Sequence, residues 1–277
     1  RIRSRQPEEI VKEVERLADA GYQEVVLTGI HASSYGMDFV NPKMDLGSWV
    51  NMEGEKKDLL YLIRQIHKVE GIRRIRLSSI EPRIITENFA KELSELPKVC
   101  PHFHLSMQSG CDATLKRMNR HYTSGEYYEK CGILRMYFDH PAITTDVIVG
   151  FPGETLEEFE MTKAFIEKVG FYETHVFKYS RRNGTKAAAM PDQVPEQEKA
   201  RRSQILLDLC KKKKKEFEDQ MIGKQVEVLL EETFEKEGIL YRTGLAKEYV
   251  KVAVKADGTR ENQIIEMTIE NHSQIMD

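Results

Sequence analysis

TTDVIVGFPGET, residues 144–155, is an apolar run with an acid near its start that breaks at a Gly-Phe-Pro-Gly turn and passes at once into a helix start. A strand that empties into a glycine-bearing turn and then a helix is where α/β proteins hold ligands, because backbone N–H groups and the helix N-terminus face whatever sits there. The three-glycine spacing of a dinucleotide fingerprint is missing, and so is the Gly-Lys-Ser/Thr of a P-loop. The turn suits a phosphate, the adenosine part of a cofactor, or a plain tight connection. Asp146, inside the apolar run, must be paired if buried, by a salt bridge to a neighbouring strand or by a ligand.

Outward from this stretch the same unit repeats. Thr155 and Glu158 form a capping-box pattern whose helix runs to Gly170, followed by the strand THVFKYS (174–180). On the other side, Thr123 with Glu126 opens a helix over 124–138, and the strand HFHLSMQ (102–108) follows a helix that Thr86 caps and Pro97 ends. IRRIRLSSI (72–80) follows a helix around 57–69, and EVVLTGI (24–30) follows a helix that starts at Pro7 and is closed by Gly21. Strands alternating with helices at this spacing predict parallel βα units, closed as a barrel or open as a doubly wound sheet. Both place their chemistry at the carboxyl ends of the strands. Those ends are Thr28 to His31, Ser78 to Glu81, Gln108 to Gly110, Gly150 to Glu154 and Tyr179 to Arg182. Residues between Ser33 and Lys57, which hold the single tryptophan, read as a long excursion at the same end.

After about Pro195 the pattern changes. A charged helix over roughly 196–220 carries the run KKKKK (211–215). QVEVLLEE (225–232), GILYRTG (238–244), YVKVAVK (249–255) and QIIEMTIE (263–270) then read as short strands, the size class of a small OB-like barrel. The expected organisation is α/β: a partial TIM-like (β/α) barrel over 1–195, a connecting helix over 196–221 and a small all-β barrel over 222–277.

A formal net charge of −3 means that no global basic field attracts nucleic acid, so RNA contact needs a local patch. The lysine run is either such a patch or a set of cations suited to the macrodipole at a helix end. No apolar run approaches the roughly 20 residues of a membrane span, and no basic-then-apolar leader opens the chain. Cys100, Cys111, Cys131 and Cys210 are scattered, without a Cys-x-x-Cys, and suit reduced thiols, so the cytoplasm is the expected location. His102 and His104 alternate on one strand face. With no third ligand in evident register, hydrogen bonding inside the barrel outweighs metal binding, and no metal ligand is assigned.

In order, EVVLTGI, RIRLSSIEP, HFHLSMQSGCDATLKRMNR, DVIVGFPGETLEEF and HVFKYSRRNGTKA, followed by a small β domain, resemble the radical S-adenosylmethionine methylthiotransferases over essentially the whole chain. The resemblance implies that the terminal barrel is a TRAM domain, an RNA-contacting module. SSIEP and HLSMQSG are more similar to the tRNA enzymes, above all the branch acting on threonylcarbamoyladenosine beside the anticodon, than to the ribosomal-protein branch, which carries Gln-His at the strand corresponding to 102–108. The implied partner is the tRNA anticodon stem-loop, and the implied chemistry is methylthio insertion at an unactivated C–H. One [4Fe–4S] cluster would drive reductive cleavage of S-adenosylmethionine, and a second is associated with sulfur delivery. Residue by residue, DVIVGFPGE would lie against the adenine, and Gly29 would approach the amino-acid end of S-adenosylmethionine. Ser79, Gln108, Asp146, Gly150 and Glu154 would line the cofactor or substrate pocket. Arg181 and Arg182 would meet anionic groups, and Lys211, Lys213 and Lys215 would hold RNA phosphates.

Two departures accompany the resemblance. The family's Cys-x-x-x-Cys-x-x-Cys loop immediately precedes a segment like RIRSR, with which this sequence opens, and none of the four cysteines has the spacing to replace it. The chain alone is therefore expected to carry half of the site, without its cluster ligands or the N-terminal domain, and to be inactive. Lys178 stands where relatives place Pro before Tyr-Ser. Outside this family, the residues also suit a non-catalytic RNA-binding protein that uses the β domain and the lysine run, or a (β/α)-barrel enzyme with an anion site at the Gly150 turn.

Overall fold

A computed structural model describes residues 2–29 and 31–276; Arg1, Ile30, expected to end the first strand, and Asp277 lie outside the described residues. The first part runs α1 (Pro7–Asp19), β1 (Glu24–Leu27), α2 (Met37–Val40), α3 (Leu46–Val50), α4 (Leu59–His67), β2 (Arg74–Leu77), α5 (Glu87–Ser94) and β3 (His102–His104). It continues through α6 (Asp112–Arg117), α7 (Ser124–Tyr137), β4 (Ala142–Val149), α8 (Leu156–Val169), β5 (Glu173–Lys178), α9 (Lys186–Ala189) and the long α10 (Glu196–Met221). β1 pairs parallel with β2, and β3, β4 and β5 form a second parallel ladder. Bridges from Ile75 to Val99 and from Ile80 to Leu105 join the two, so five parallel strands stand in chain order. Because parallel crossovers are right-handed, consecutive order puts every helix on one face and leaves the other face as a lumen.

The helix starts follow from the threonines. Thr86, Thr123 and Thr155 each accept an N–H from the first turn, and Glu126 and Glu158 complete capping boxes. The expected QSGC loop contains the unanticipated helix α6, and the excursion folds into α2 and α3 around the buried Trp49. β3 is shorter than the expected 102–108 because side chains take over its backbone groups. Thr145 Oγ1 donates to Leu105 O (2.6 Å) and accepts from Met107 N (3.0 Å), while the hydroxyls of Tyr122 and Tyr127 donate to the carbonyls of residues 105–107.

Beyond α10, β6 (Gln225–Lys236), β7 (Ile239–Ala246), β8 (Lys251–Lys255) and β9 (Gln263–Thr268) form an antiparallel sheet in the order β8-β7-β6-β9. The C-terminal segment returns to the far edge, where Val252 bridges Ile275 and Met276 N donates to Lys251 O (2.9 Å). Gly244 is required on β7, since a Cβ there would lie 1.9 Å from Leu229 O.

The two sheets interlock at the amino ends of the parallel strands. Arg74 is fully buried and Arg76 nearly so, both on the lumen face of β2. Glu24, in register on β1, lies 2.7 Å from Arg74 and 3.0 Å from Arg76. Arg74 donates to the carbonyls of Leu245 and Ala246 (2.8 and 3.1 Å), and Arg76 to those of Lys247 and Ala246 (3.0 and 3.2 Å). Tyr249 from the same turn stacks on His102 with ring centroids 4.0 Å apart. The β7–β8 turn therefore stoppers the lumen from below. On the outside, Phe217 of α10 packs on Tyr172 and His140, continuing the core of the second sheet into the base of the first.

Removing one partner from such a buried charge cluster leaves the others uncompensated. Glu24→Gln is expected to lower unfolding free energy by about 3 kcal/mol, measured by urea denaturation; an unchanged midpoint would show that the carbonyls alone satisfy both guanidinium groups.

Candidate active site at the strand carboxyl ends

With the lower mouth filled, ligand access is at the upper one. Gln108 and Asp146 meet there: Gln108 N donates to Asp146 O (2.8 Å), and Gln108 O accepts from Ile148 N (2.9 Å). Gln108 holds φ at +70°, a left-handed conformation that is uncommon outside glycine and tends to persist where surrounding contacts over-determine it, as at ligand sites. The next residues are pinned too, since Ser109 Oγ and Gly110 N both bond Thr162 Oγ1 (3.1 and 3.3 Å).

Asp146 is partly buried on the lumen face. Its Oδ2 lies 3.2 Å from His104 Nε2, and His175 is its register partner on β5. Burial pushes the Asp146 carboxyl up, but the His104 hydrogen bond, the electrostatic influence of His104 and His175 and a Ser106 hydrogen bond outweigh this and hold it below the usual carboxylate range. His104 Nδ1 and His102 Nε2 share Thr144 Oγ1 (3.0 and 3.1 Å). The hydrogen bonding expected of both histidines is present. The expectation that no third ligand shares their register does not hold, because β4 and β5 bring Asp146 and His175 beside His104, with ligand atoms within 4.8 Å. That adjacency depends on strand pairing, which spacing within one strand does not show.

The Gly150 turn is built from within. Gly150 has φ +69°, and a Cβ there would lie 2.4 Å from Lys199 Cγ, so the closeness of α10 requires glycine. Gly150 N donates to Glu154 Oε1 (2.9 Å), Gly153 N to Asp192 O (2.8 Å) and Glu154 N to Phe151 O (2.9 Å). These amides are taken, which argues against the anion-cradle reading of the turn. Glu154 is buried, and Arg202 donates to its carboxylate (2.6 Å) and carbonyl (3.0 Å). Burial pushes the Glu154 carboxyl up, partly offset by Gly150 N–H and Arg202. The side chain of Glu154 thus braces the turn against α10.

Gly29 and Ser79 are exposed at the ends of β1 and β2. Gly29 borders a cavity of about 630 Å³ lined also by Arg3, Leu27, Thr28, His31 and Tyr35. Ser33 Oγ accepts from Glu81 N (2.7 Å), tying the excursion to β2, and Glu81 pairs with Arg83. Arg181 and Arg182 are exposed after β5, with Arg181 Nε donating to Ala188 O (2.9 Å). The lysine run lies elsewhere: Lys213 lines a cavity of about 390 Å³ with Arg135, His140, Pro141 and Gly170, at the amino ends of β4 and β5. Lys211 and Lys215 are exposed, and Lys213 pairs with Glu216 at 2.8 Å.

Residues 1–166 match the Radical SAM superfamily. The chain belongs to that superfamily. It is 39% identical over 272 residues to the threonylcarbamoyladenosine tRNA methylthiotransferase MtaB of Bacillus subtilis, covering 97% of this chain and 56% of that protein. It is 36% identical over 269 residues to the tRNA-2-methylthio-N(6)-dimethylallyladenosine synthase of Acetivibrio thermocellus, covering 97% of this chain and 53% of that protein. The chain therefore spans about half the length of these curated relatives. Among solved structures, coproporphyrinogen III oxidase (HemN) of Escherichia coli, a radical SAM enzyme, aligns with a TM-score of 0.53 at 15% identity, over 77% of this chain and 48% of that one. This likeness shows the fold alone. No helix among the described residues is long and apolar enough to cross a membrane.

Groups with the chemistry to bind S-adenosylmethionine are present: the half-buried Asp146 carboxyl on β4 is held below the usual carboxylate range, and Gly29 borders a cavity of about 630 Å³. A [4Fe–4S] cluster is not fitted by the cysteines. All four are buried, and among the described residues only His104, Asp146 and His175 bring three such ligand atoms together.

Burial lowers the affinity of His67, His102 and His140 for protons, most strongly at His102. An unfolded histidine titrates near about pH 6.5, so the unfolded state binds more protons below that point. The stability contributed by these neutral rings is whole above it and is lost as pH falls towards their native values. Urea midpoints are expected to fall from neutral to mildly acidic pH, and His102→Gln should fall less steeply; parallel curves would contradict a neutral, buried His102.

Proposed function

We propose that this chain is the S-adenosylmethionine- and RNA-binding portion of a tRNA methylthiotransferase that modifies threonylcarbamoyladenosine next to the anticodon. The observation that carries the reading is the pairing of superfamily membership with 39% identity to the Bacillus subtilis enzyme across nearly the whole chain. The polar lumen wall supports this base over dimethylallyladenosine. The exposed His175 ring and the remaining acceptor capacity of Asp146 would hydrogen-bond a threonyl arm, whereas a dimethylallyl group would desolvate both without replacing the bonds to water.

S-adenosylmethionine, when bound, supplies the radical-generating and methyl-transfer chemistry. Gln108 and Asp146 would accept from its hydroxyls, Gly29 would admit its amino-acid end, and Ser79 would face it across the lumen. Gly150 would pack against its adenine, and Glu154 would act by holding that turn to Arg202. Arg181 and Arg182 would meet RNA phosphates at the mouth. No step is assigned to a cluster on this chain's cysteines, and the chain by itself is proposed to be inactive. The proposed organisation is a partial radical SAM barrel over 1–195, the helix over 196–221 and a TRAM domain over 222–277, acting in the cytoplasm.

A chimera in which these residues replace the corresponding half of the Bacillus subtilis relative tests the substrate, in a strain lacking that enzyme. Mass spectrometry of tRNA nucleosides should show methylthio-threonylcarbamoyladenosine. Methylthio-dimethylallyladenosine instead would overturn the choice of base, and neither product from a folded chimera would overturn the activity.

The lysine run lies at the opposite end from the mouth, so it would contact RNA away from the reacting base. Changing Lys211, Lys213 and Lys215 to Gln should weaken binding of an anticodon stem-loop and flatten the salt dependence by roughly one unit per lost phosphate contact. An unchanged slope in a filter-binding salt series would make the run a solvated helix face.

A further inference from the structure

We propose that His104 is a positioning residue for Asp146, with its proton fixed on Nε2 by a one-way hydrogen-bond chain that begins at His102. This rests on the reading of Asp146 as part of the S-adenosylmethionine pocket. Thr144 Oγ1 stands between His102 Nε2 (3.1 Å) and His104 Nδ1 (3.0 Å), and His104 Nε2 faces Asp146 Oδ2 at 3.2 Å. A hydroxyl has one proton to give, so Thr144 donates to one ring and accepts from the other.

Only one direction keeps both rings neutral without leaving a buried N–H unpaired. His102 is buried, with Nδ1 lacking any partner. If Thr144 donated to His102, the single proton of that neutral ring would sit on Nδ1 as an unpaired buried N–H. Thr144 would then accept from His104 Nδ1–H, and His104 could bond the carboxylate only as a doubly protonated cation. In the opposite direction His102 Nε2–H donates to Thr144, Thr144 donates to His104 Nδ1, and His104 Nε2–H donates to Asp146. Both rings stay neutral. Tyr249 stacks on His102 from the turn that stoppers the lumen, holding the ring that starts the chain. The carboxylate is thereby turned towards the strand ends as an acceptor for ligand hydroxyls.

The same direction opposes a metal. His104, Asp146 and His175 are close enough to share a cation, but a ligating His104 would need Nε2 bare.

Long-range proton–nitrogen spectra of the isotope-labelled chain near neutral pH, assigned with H102Q and H104Q, should show His102 and His104 neutral with the proton on Nε2. A His104 proton on Nδ1, or on both nitrogens, overturns the chain. Zinc that binds one-to-one and shifts His104 and His175 together overturns it in favour of a metal site. Titration with S-adenosylhomocysteine, followed at the Gln108, Asp146 and Gly150 amides, reads the positioning. His104→Leu should weaken binding about tenfold, whereas His104→Gln, which keeps an N–H near the same point, should stay within about twofold of the wild type. If Asp146→Ala weakens binding and His104→Leu does not, the positioning role alone fails. If Asp146→Ala binds like the wild type, or no amide shifts, the pocket reading fails and the proposal with it.

Discussion

Two guanidinium groups withdrawn from water, those of Arg74 and Arg76, set the conditions for the rest of the molecule. A buried charge is tolerated only when paired and hydrogen-bonded. β2 supplies both cations, β1 supplies Glu24, and the second sheet supplies the carbonyls of residues 245–247. Without that sheet the lower lumen would expose two cations matched by one carboxylate. The contact is therefore more than packing between neighbours, since it completes the charge balance inside the parallel strands.

Closing the lower end fixes where chemistry can occur. α10 spans from one end to the other: Lys199 and Arg202 pack on the Gly150 turn near its start, and Phe217 packs on Tyr172 and His140 near its finish. The turn that looks most like a ligand cradle spends its amides on Glu154, Asp192 and Phe151. Nearer the carboxyl ends stands a polar wall centred on Asp146, which His104 holds, with Gln108 at positive φ beside it.

The succession of βα units was legible in the sequence because its signals are local. Threonine caps with glutamate partners, glycine stops and apolar runs located the elements to within a few residues. The lumen was harder to read. The alternation in IRRIRL resembles a strand with a solvated arginine face, and only the docking of a turn about 170 residues later makes that face an interior. Likewise His175, Thr144 and Arg202 matter through strand register or helix packing, so spacing within one segment could not identify them. Glu154 was legible as part of the Gly150 turn, but its pairing with Arg202 was not. The lysine run was visible as a patch, and its position at the far end of the strands became clear only when α10 was placed.

Native-state hydrogen exchange tests the dependence of the parallel strands on the second sheet most directly. If the charge cluster joins the two, the amides of β2 and those of β7 and β8 beside the stoppering turn should open together, with the same free energy and the same response to denaturant. Exchange of β7 and β8 through a lower-energy opening, while β2 keeps full protection, would contradict the account.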